Sequence, residues 1–504
     1  MILTCAQMKA VEEEAFKAGV LAEPLMEEAG MAIGRAILDF LRPSRPGTVI
    51  AFCGKGNNAG DALVASRYLQ EHGWRPHVRL CSDEEDLSAL TKRELEELRA
   101  EVACPPIAGA AELDEIARHA EGPLVLLDGF LGIGAGGDPR EPIAGLIREM
   151  NRVREDYHAV SVAIDIPSGL NGDTGEAGDP CVLADLTCTV AHCKSGLIAD
   201  RATAQVGRLA VLPLEALETY SGDRSVDVLT PHFLRPLLRR RNFDSHKGNY
   251  GRIGIVAGSV GFFGAGRLSS MAAVYGGGGL VTLYVPEDAY SLVATAVIPE
   301  VMVKPVRSYN SILEDPLDAI GLGPGLGFDH ESEIMKVIRD AEVPVVVDAD
   351  ALTMVARDLS LLGKVAGPRL LTPHPGEMHR LAPELDGKPR REIAETFAAD
   401  RGVTLLLKGA RTVIAEAGRP TRFNTTGNPG MGSGGMGDVL TGLAASLVGQ
   451  GYSLIDAASL GAWLSGRSAE LAVWGGAASP ESLHAVEVAQ NLGRAFQELR
   501  AGRV

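Results

Sequence analysis

The chain has 504 residues, 46% of them hydrophobic and 5% aromatic, with 60 glycines and a formal net charge of −17. That length asks for two domains, because single cores rarely grow beyond roughly 250–300 residues. The acidic balance argues against a nucleic-acid or anionic-membrane partner, each of which needs a basic footprint, and no apolar run is long enough to span a bilayer.

At the start, Thr4 and Gln7 have capping-box spacing, which predicts a helix there. No basic stretch leads into an apolar core, so no signal peptide is expected. The seven cysteines include no CxxC pair. An odd count fits no secreted disulfide framework, so reduced thiols in a cytoplasmic protein are expected.

Strand-like apolar runs then alternate with helical patterns: Thr48–Cys53, a helix over Ala62–His72, then Leu124–Leu127, Ala159–Ile164, Thr187–Ala191 and Leu209–Leu212. Continuous apolar strands in a βαβ order predict a doubly wound, Rossmann-like three-layer domain. The pattern breaks over 218–242, and the junction is placed at Tyr220–Asp227, which gives domains over residues 1–220 and 228–504. Within the break, Arg239-Arg240-Arg241 reads as a solvated helix end rather than a phosphate site. A second α/β alternation follows, with strands at Arg252–Ala257, Leu280–Val285, Asp318–Leu322, Pro344–Val347, Leu370–Thr372, Thr404–Leu407 and Thr412–Ile414.

Two constellations carry chemistry. In the first half, Gly54-Lys55-Gly56-Asn57-Asn58-Ala59-Gly60-Asp61 joins a strand to a helix, which aims backbone donors at an anion. Asp128 and Asp165 close later strands, Asp128 ahead of Gly129 to Gly134 and Asp165 ahead of Ile166-Pro167-Ser168-Gly169. Ligands of open parallel sheets bind beyond the strands' carboxyl ends, so the three clusters converge on one crevice. In the second half, Gly435-Met436-Gly437-Asp438 opens a helix whose apolar positions Leu440, Leu443, Ala444, Leu447 and Val448 share one face. Donors at a helix tip beside a carboxylate are what phosphoryl transfer asks for.

The Gly-Asn-Asn-x-Gly-Asp loop, Asp128 and Asp165–Gly175 resemble the NAD(P)H-hydrate epimerase family over most of residues 1–214. The resemblance implies that Asn57, Asn58, Ala59, Gly60, Asp61, Gly132, Ile133, Gly134 and Asp165 bind the hydrate. It implies that Asn58, Asp128 and Ser168 hold K+ and that Asp165 is the acid–base group. Ala59 and Ala62 stand where glycine is common in that family. Asn424 to Gly442, with Gly323–Gly327, Thr372–Glu377 and Leu407–Thr412, resembles the ribokinase-like superfamily and, within it, the NAD(P)H-hydrate dehydratases. By that resemblance Ala265, Gly325, His374 and Asp438 line the hydrate pocket, and Asp438 is the catalytic base. Lys408, Gly409, Ala410, Arg411, Thr412 and Gly437 bind the nucleotide. ADP or ATP is the co-substrate, with Mg2+, and a homo-oligomer is implied. Asp348 and Asp350 stay open between a Mg2+ and a structural role. Gly266 and Gly432 stand where alanine is common. The competing reading is a ribokinase-like small-molecule kinase with a non-catalytic N-terminal binding domain.

Overall fold

The computed structural model describes residues 1–504 except 43, 135, 219–224 and 504. The chain forms two compact units, Met1–Arg224 with Arg503–Val504, and Ser225–Gly502. The junction expected at Tyr220–Asp227 lies in part outside the described residues.

The first unit is built on a six-stranded, wholly parallel sheet in the order Arg75–Leu80, Thr48–Cys53, Leu124–Gly129, Val160–Ile164, Leu186–Val190, Arg208–Leu212. Every residue of the Thr48–Cys53 and Leu124–Gly129 strands is buried, as a sheet covered on both faces requires. The chain reverses its winding between these two strands, and Cys53 pairs with Gly129. The Gly54 loop and the turn after Asp128 therefore emerge side by side at a topological switch point.

The edge strand Arg75–Leu80 was not expected, because its arginines and Pro76 mask the apolar run; edge positions tolerate both. Thr4 forms the expected box, its Oγ1 accepting from Gln7 N at 3.1 Å and its N–H donating to Gln7 Oε1 at 2.8 Å. The Ala22–Leu41 helix packs closely on the Asn57–Glu71 helix, where a Cβ at Gly34 would stand 2.5 Å from the Tyr68 ring.

The second unit has a ten-stranded sheet in the order Val301–Val306, Leu280–Pro286, Arg252–Val256, Ala319–Leu322, Val345–Val347, Arg369–Leu371, Thr404–Leu407, Val413–Ala415, Thr421–Phe423, Val226–Val228. Its pairings are parallel except the two made by Val413–Ala415. Val256 pairs with Leu322, Leu322 with Val347, and Val347 with Leu371. This register brings Gly258, Gly323, Asp348 and Thr372 out at one edge.

The Met436–Gly449 helix is buried throughout Val439–Val448, not along one face as its spacing suggested. It is packed against the Phe263–Tyr275 and Leu454–Val473 helices, and a helix apolar all round belongs inside a core. Arg369, 1% exposed, donates to Ile338 O and Ala341 O, each at 2.7 Å, and so caps the Glu331–Asp340 helix from within the core.

Candidate active sites

In the first unit the Asn57–Glu71 helix starts five residues ahead of the expected Ala62. Asn57 through Asp61 are thus its first turns, with N–H groups aimed outward as an anion site needs. They open on a cavity of about 690 Å³ whose wall includes Asn57, Asn58, Asp61, Gly132, Ile133, Gly134 and Asp165. Ala59 and Gly60, also expected to bind substrate, are buried away from that wall. Gly60 faces Met26, while the methyl of Ala62 is met by Gly129, where a Cβ would stand 2.8 Å away. The departure at Ala62 is therefore absorbed in packing, and Ala59 is fully buried.

Asp128 and Ser168 are buried and stand outside that wall. Ser168 N and Oγ donate to the Asp128 carboxylate at 2.7 and 2.6 Å, and Leu131 N donates to Ser168 Oγ at 3.0 Å. Asn58 Nδ2 donates to Leu131 O at 3.0 Å, so the three expected cation ligands are joined through one residue, Leu131. Burial pushes Asp128 up to about 6, against the hydrogen bonds from Ser168 and Phe130.

Asp165 adopts φ 65°, a strained choice for a non-glycine residue. Its Oδ1 accepts from Lys194 Nζ, from Thr189 Oγ1 at 3.2 Å and from Val190 N at 3.3 Å. Lys194 is 1% exposed and lines the cavity with Asp61 and Glu12. Asp61 is held well above the usual carboxylate range by desolvation and then by Asp165 and Glu12. The sequence reading missed Lys194. Its signal was a lysine just past a buried strand, where a charge needs a partner.

In the second unit, Gly435 at φ 89° turns the chain into the Met436–Gly449 helix and sets Asp438 in its first turn. Lys408 Nζ bonds Asp348 Oδ1 at 2.7 Å and lies 3.8 Å from Glu377 Oε2, while Thr441 Oγ1 donates to Asp348 Oδ2 at 2.8 Å. A Cβ at Gly437 would stand 3.3 Å from Asp348 Oδ2 and 3.4 Å from Lys408 Nζ, so glycine keeps this spot open. Asp438 is pushed up to about 6, by burial first and then by Asp348, with Lys408 opposing. Asp348 and Glu377 outweigh the desolvation of Lys408 and hold it above the ordinary lysine value.

His374 caps the Pro375–Leu381 helix through Nδ1, which accepts from Gly376 N and Glu377 N, and its Nε2 lies 3.5 Å from Glu377 Oε1. Glu377 completes that box and links it to Lys408. Ala265 meets Gly325 (φ 60°), where a Cβ would lie 3.0 Å away. Gly327 N donates to Asp350 Oδ2 at 2.9 Å, which ties that loop to the acidic cluster.

Of the expected nucleotide residues, Gly409 and Ala410 are exposed, and Arg411 and Thr412 are buried. Arg390, which the sequence reading missed, staples this loop by donating to the carbonyls of Leu407, Lys408 and Arg411 at 2.8–3.0 Å. The Asn424–Asn428 string is held by Glu470, whose Oε1 accepts from Gly427 N at 2.8 Å and whose Oε2 pairs with the buried Arg467.

Residues 22–196 match the family described as YjeF-related protein N-terminus, and residues 253–490 match the NAD(P)H-hydrate dehydratase family. A bifunctional NAD(P)H-hydrate repair enzyme of Moorella thermoacetica is 37% identical, over 88% of this chain and 87% of its own. This chain belongs to the family of bifunctional NAD(P)H-hydrate repair enzymes. Repair enzymes of Coxiella burnetii and Gloeobacter violaceus, at 32% and 33% identity, cover 92% and 94% of this chain and 93% and 95% of their own. The family membership leaves no observation in favour of the kinase reading. Both sites here open at the carboxyl ends of parallel strands.

Proposed function

We infer that the chain repairs hydrated NADH and NADPH in two steps, epimerising the R and S hydrates in its first unit and dehydrating the S hydrate in its second with ADP or ATP. The observation that carries this is the pairing of Asp438 with the Lys408–Asp348 cluster at a glycine-lined helix tip, in a chain aligned almost end to end with repair enzymes.

In the second unit Asp438 takes the proton of the ring hydroxyl as that oxygen attacks the terminal phosphorus of ADP, and AMP departs. A pKa near 6 suits a base working at neutral pH. Lys408 and the N–H groups at Gly437 neutralise charge on the phosphoryl oxygens. The ring nitrogen then expels phosphate from its neighbouring carbon, and loss of a proton from the next carbon restores NAD(P)H. Ala265, Gly325 and His374 frame the hydrate, and Gly409 to Thr412 frame the nucleotide.

In the first unit Asp165 moves the proton as water leaves the hydrate and returns on the other face. Lys194 pairs with that carboxylate and orients it, and Asp61 borders the same cavity.

Asn58, Asp128 and Ser168 suit K+: the donors are all oxygen, and the buried Asp128 carboxylate is met by neutral donors alone among the described residues. K+ would supply charge compensation there. Mg2+ does not fit as a resident ion: the Asp348 carboxylate is already paired with the Lys408 ammonium, and no cluster of three His, Cys, Asp or Glu could hold a metal among the described residues. It belongs with the phosphates of the nucleotide.

Cys5, Cys53, Cys81, Cys104, Cys181 and Cys188 are free thiols, which suits a cytosolic location, and no helix among the described residues is long and apolar enough to cross a membrane.

The test is absorbance. Hydrate with ADP and Mg2+ is expected to regain the near-ultraviolet band of reduced nicotinamide with one AMP formed per cofactor, and Asp438→Asn to abolish this. Recovery without nucleotide consumption, or undiminished in the variant, overturns the reading. Asp165→Asn is expected to spare repair of the S hydrate and stop repair of the R hydrate once spontaneous exchange is subtracted.

A further inference from the structure

Within the second unit, a cavity of about 730 Å³ is lined by Arg239, Arg240, Arg241 and Arg500, with Asp244 its sole carboxylate. It is remote from the site at Asp438. Asp438 stands in the first turn of the Met436–Gly449 helix and Gln450 of the cavity just past its last, about 20 Å apart at about 1.5 Å per residue.

Four guanidinium groups in one cavity repel one another and call for an anion. In a protein with 17 excess negative charges, none of the four forms an ion pair with a carboxylate among the described residues. Two of them are fixed in place. Arg239 donates to Gln450 O and Gly451 O at 3.0 and 2.8 Å, and Arg241 to Gly277 O at 2.5 Å. Each also lies over a tyrosine ring, Arg239 at 4.9 Å from that of Tyr452 and Arg241 at 3.8 Å from that of Tyr250. Arg500 spends one donor, on Arg239 O at 3.1 Å, and Arg240 has no hydrogen bond among the described residues. A guanidinium has five donors, so most of the donor capacity of Arg240 and Arg500 is uncommitted. Tyr275, 39% exposed, and Phe496 add an aromatic wall.

We propose that this cavity is a second ligand site, which takes a nucleoside polyphosphate: guanidinium forks hold its phosphates and the aromatic wall its base. The arginine run therefore does more than end a helix in solvent. It follows the Arg235–Leu237 turn and walls a cavity large enough for a mononucleotide.

The test is ADP binding to the full chain by equilibrium dialysis, for the native protein and for Arg240→Ser with Arg500→Ser. The native chain is expected to bind one more equivalent than the double variant, or the same equivalent at least tenfold more tightly. Inorganic triphosphate is expected to displace that equivalent, and dehydration at saturating ADP to proceed at the native rate in the variant, which shows that it is folded. Arg240→Ser alone, which breaks no internal bond, is expected to weaken the same equivalent and reports even if the double variant does not fold. Equal stoichiometry and affinity in native and variant chains, or no competition by triphosphate, overturns the proposal.

Discussion

Lys194 and Lys408 hold equivalent posts in two unrelated sites: each neutralises a carboxylate that a parallel sheet delivers at its edge. Removing one partner of such a pair leaves an uncompensated charge and costs about 3–5 kcal/mol when burial is complete. Asp165 is 15% exposed on its side chain, so the lower end applies. Lys194→Met is therefore expected to lower stability by about 3 kcal/mol in denaturant melts and to slow epimerisation at least tenfold while leaving dehydration of a purified S hydrate intact. Asp438 gives the pH test. Its pKa is raised from 3.8 to about 6, so the carboxylate needed as base exists above that value and is lost as pH falls through it. Single-turnover dehydration is expected to fall to half near pH 6, and a rate flat down to pH 5 would contradict the assignment. Asp438 was legible in the sequence because glycine and a carboxylate at a helix start are local features. Lys194 was not, since its partner lies 29 residues away and only the sheet brings them together.

At the scale of elements, the Met436–Gly449 and Phe263–Tyr275 helices touch backbone to backbone: a Cβ at Gly442 would run into the carbonyl of Ser269. Gly442→Val is expected to cost about 1–3 kcal/mol or more, measured as a lower urea midpoint of the second unit, whereas Gly434→Ala, where a Cβ meets open space, is expected to be neutral. The buried strands were plain from composition, because runs such as Thr48–Cys53 and Thr404–Leu407 are apolar after their first threonine and match the structure residue for residue. The strands overlooked are edges or very short. Arg75–Leu80 carries a proline with two arginines and Val301–Val306 a proline with one lysine, and Val226–Val228 and Thr421–Phe423 have three residues apiece. Exposure on one side relaxes the demand for apolar side chains that makes interior strands visible. The start of the Asn57–Glu71 helix was hidden for a different reason, since asparagine and glycine favour turns yet suit a first helical turn whose N–H groups stay available.

For the whole molecule, the K+ assignment predicts a thermal signature. Asp128 titrates near 6, so above that pH a buried negative charge persists and a bound cation gains stability from it. Replacing K+ by a bulky organic cation is expected to lower the melting temperature of the first unit at pH 8 and to have much less effect at pH 5, where the carboxyl is neutral; an equal shift at both would place the ion elsewhere. The Met436–Gly449 helix has a wider consequence. From Val439 to Val448 it has no face of its own toward solvent, so it can neither tilt nor accept larger side chains without disturbing neighbours on every side. Divergence in which hydrate or nucleotide is preferred must then be written in the chain around it, at 258–267, 323–328 and 373–377, while the post that carries Asp438 stays as it is.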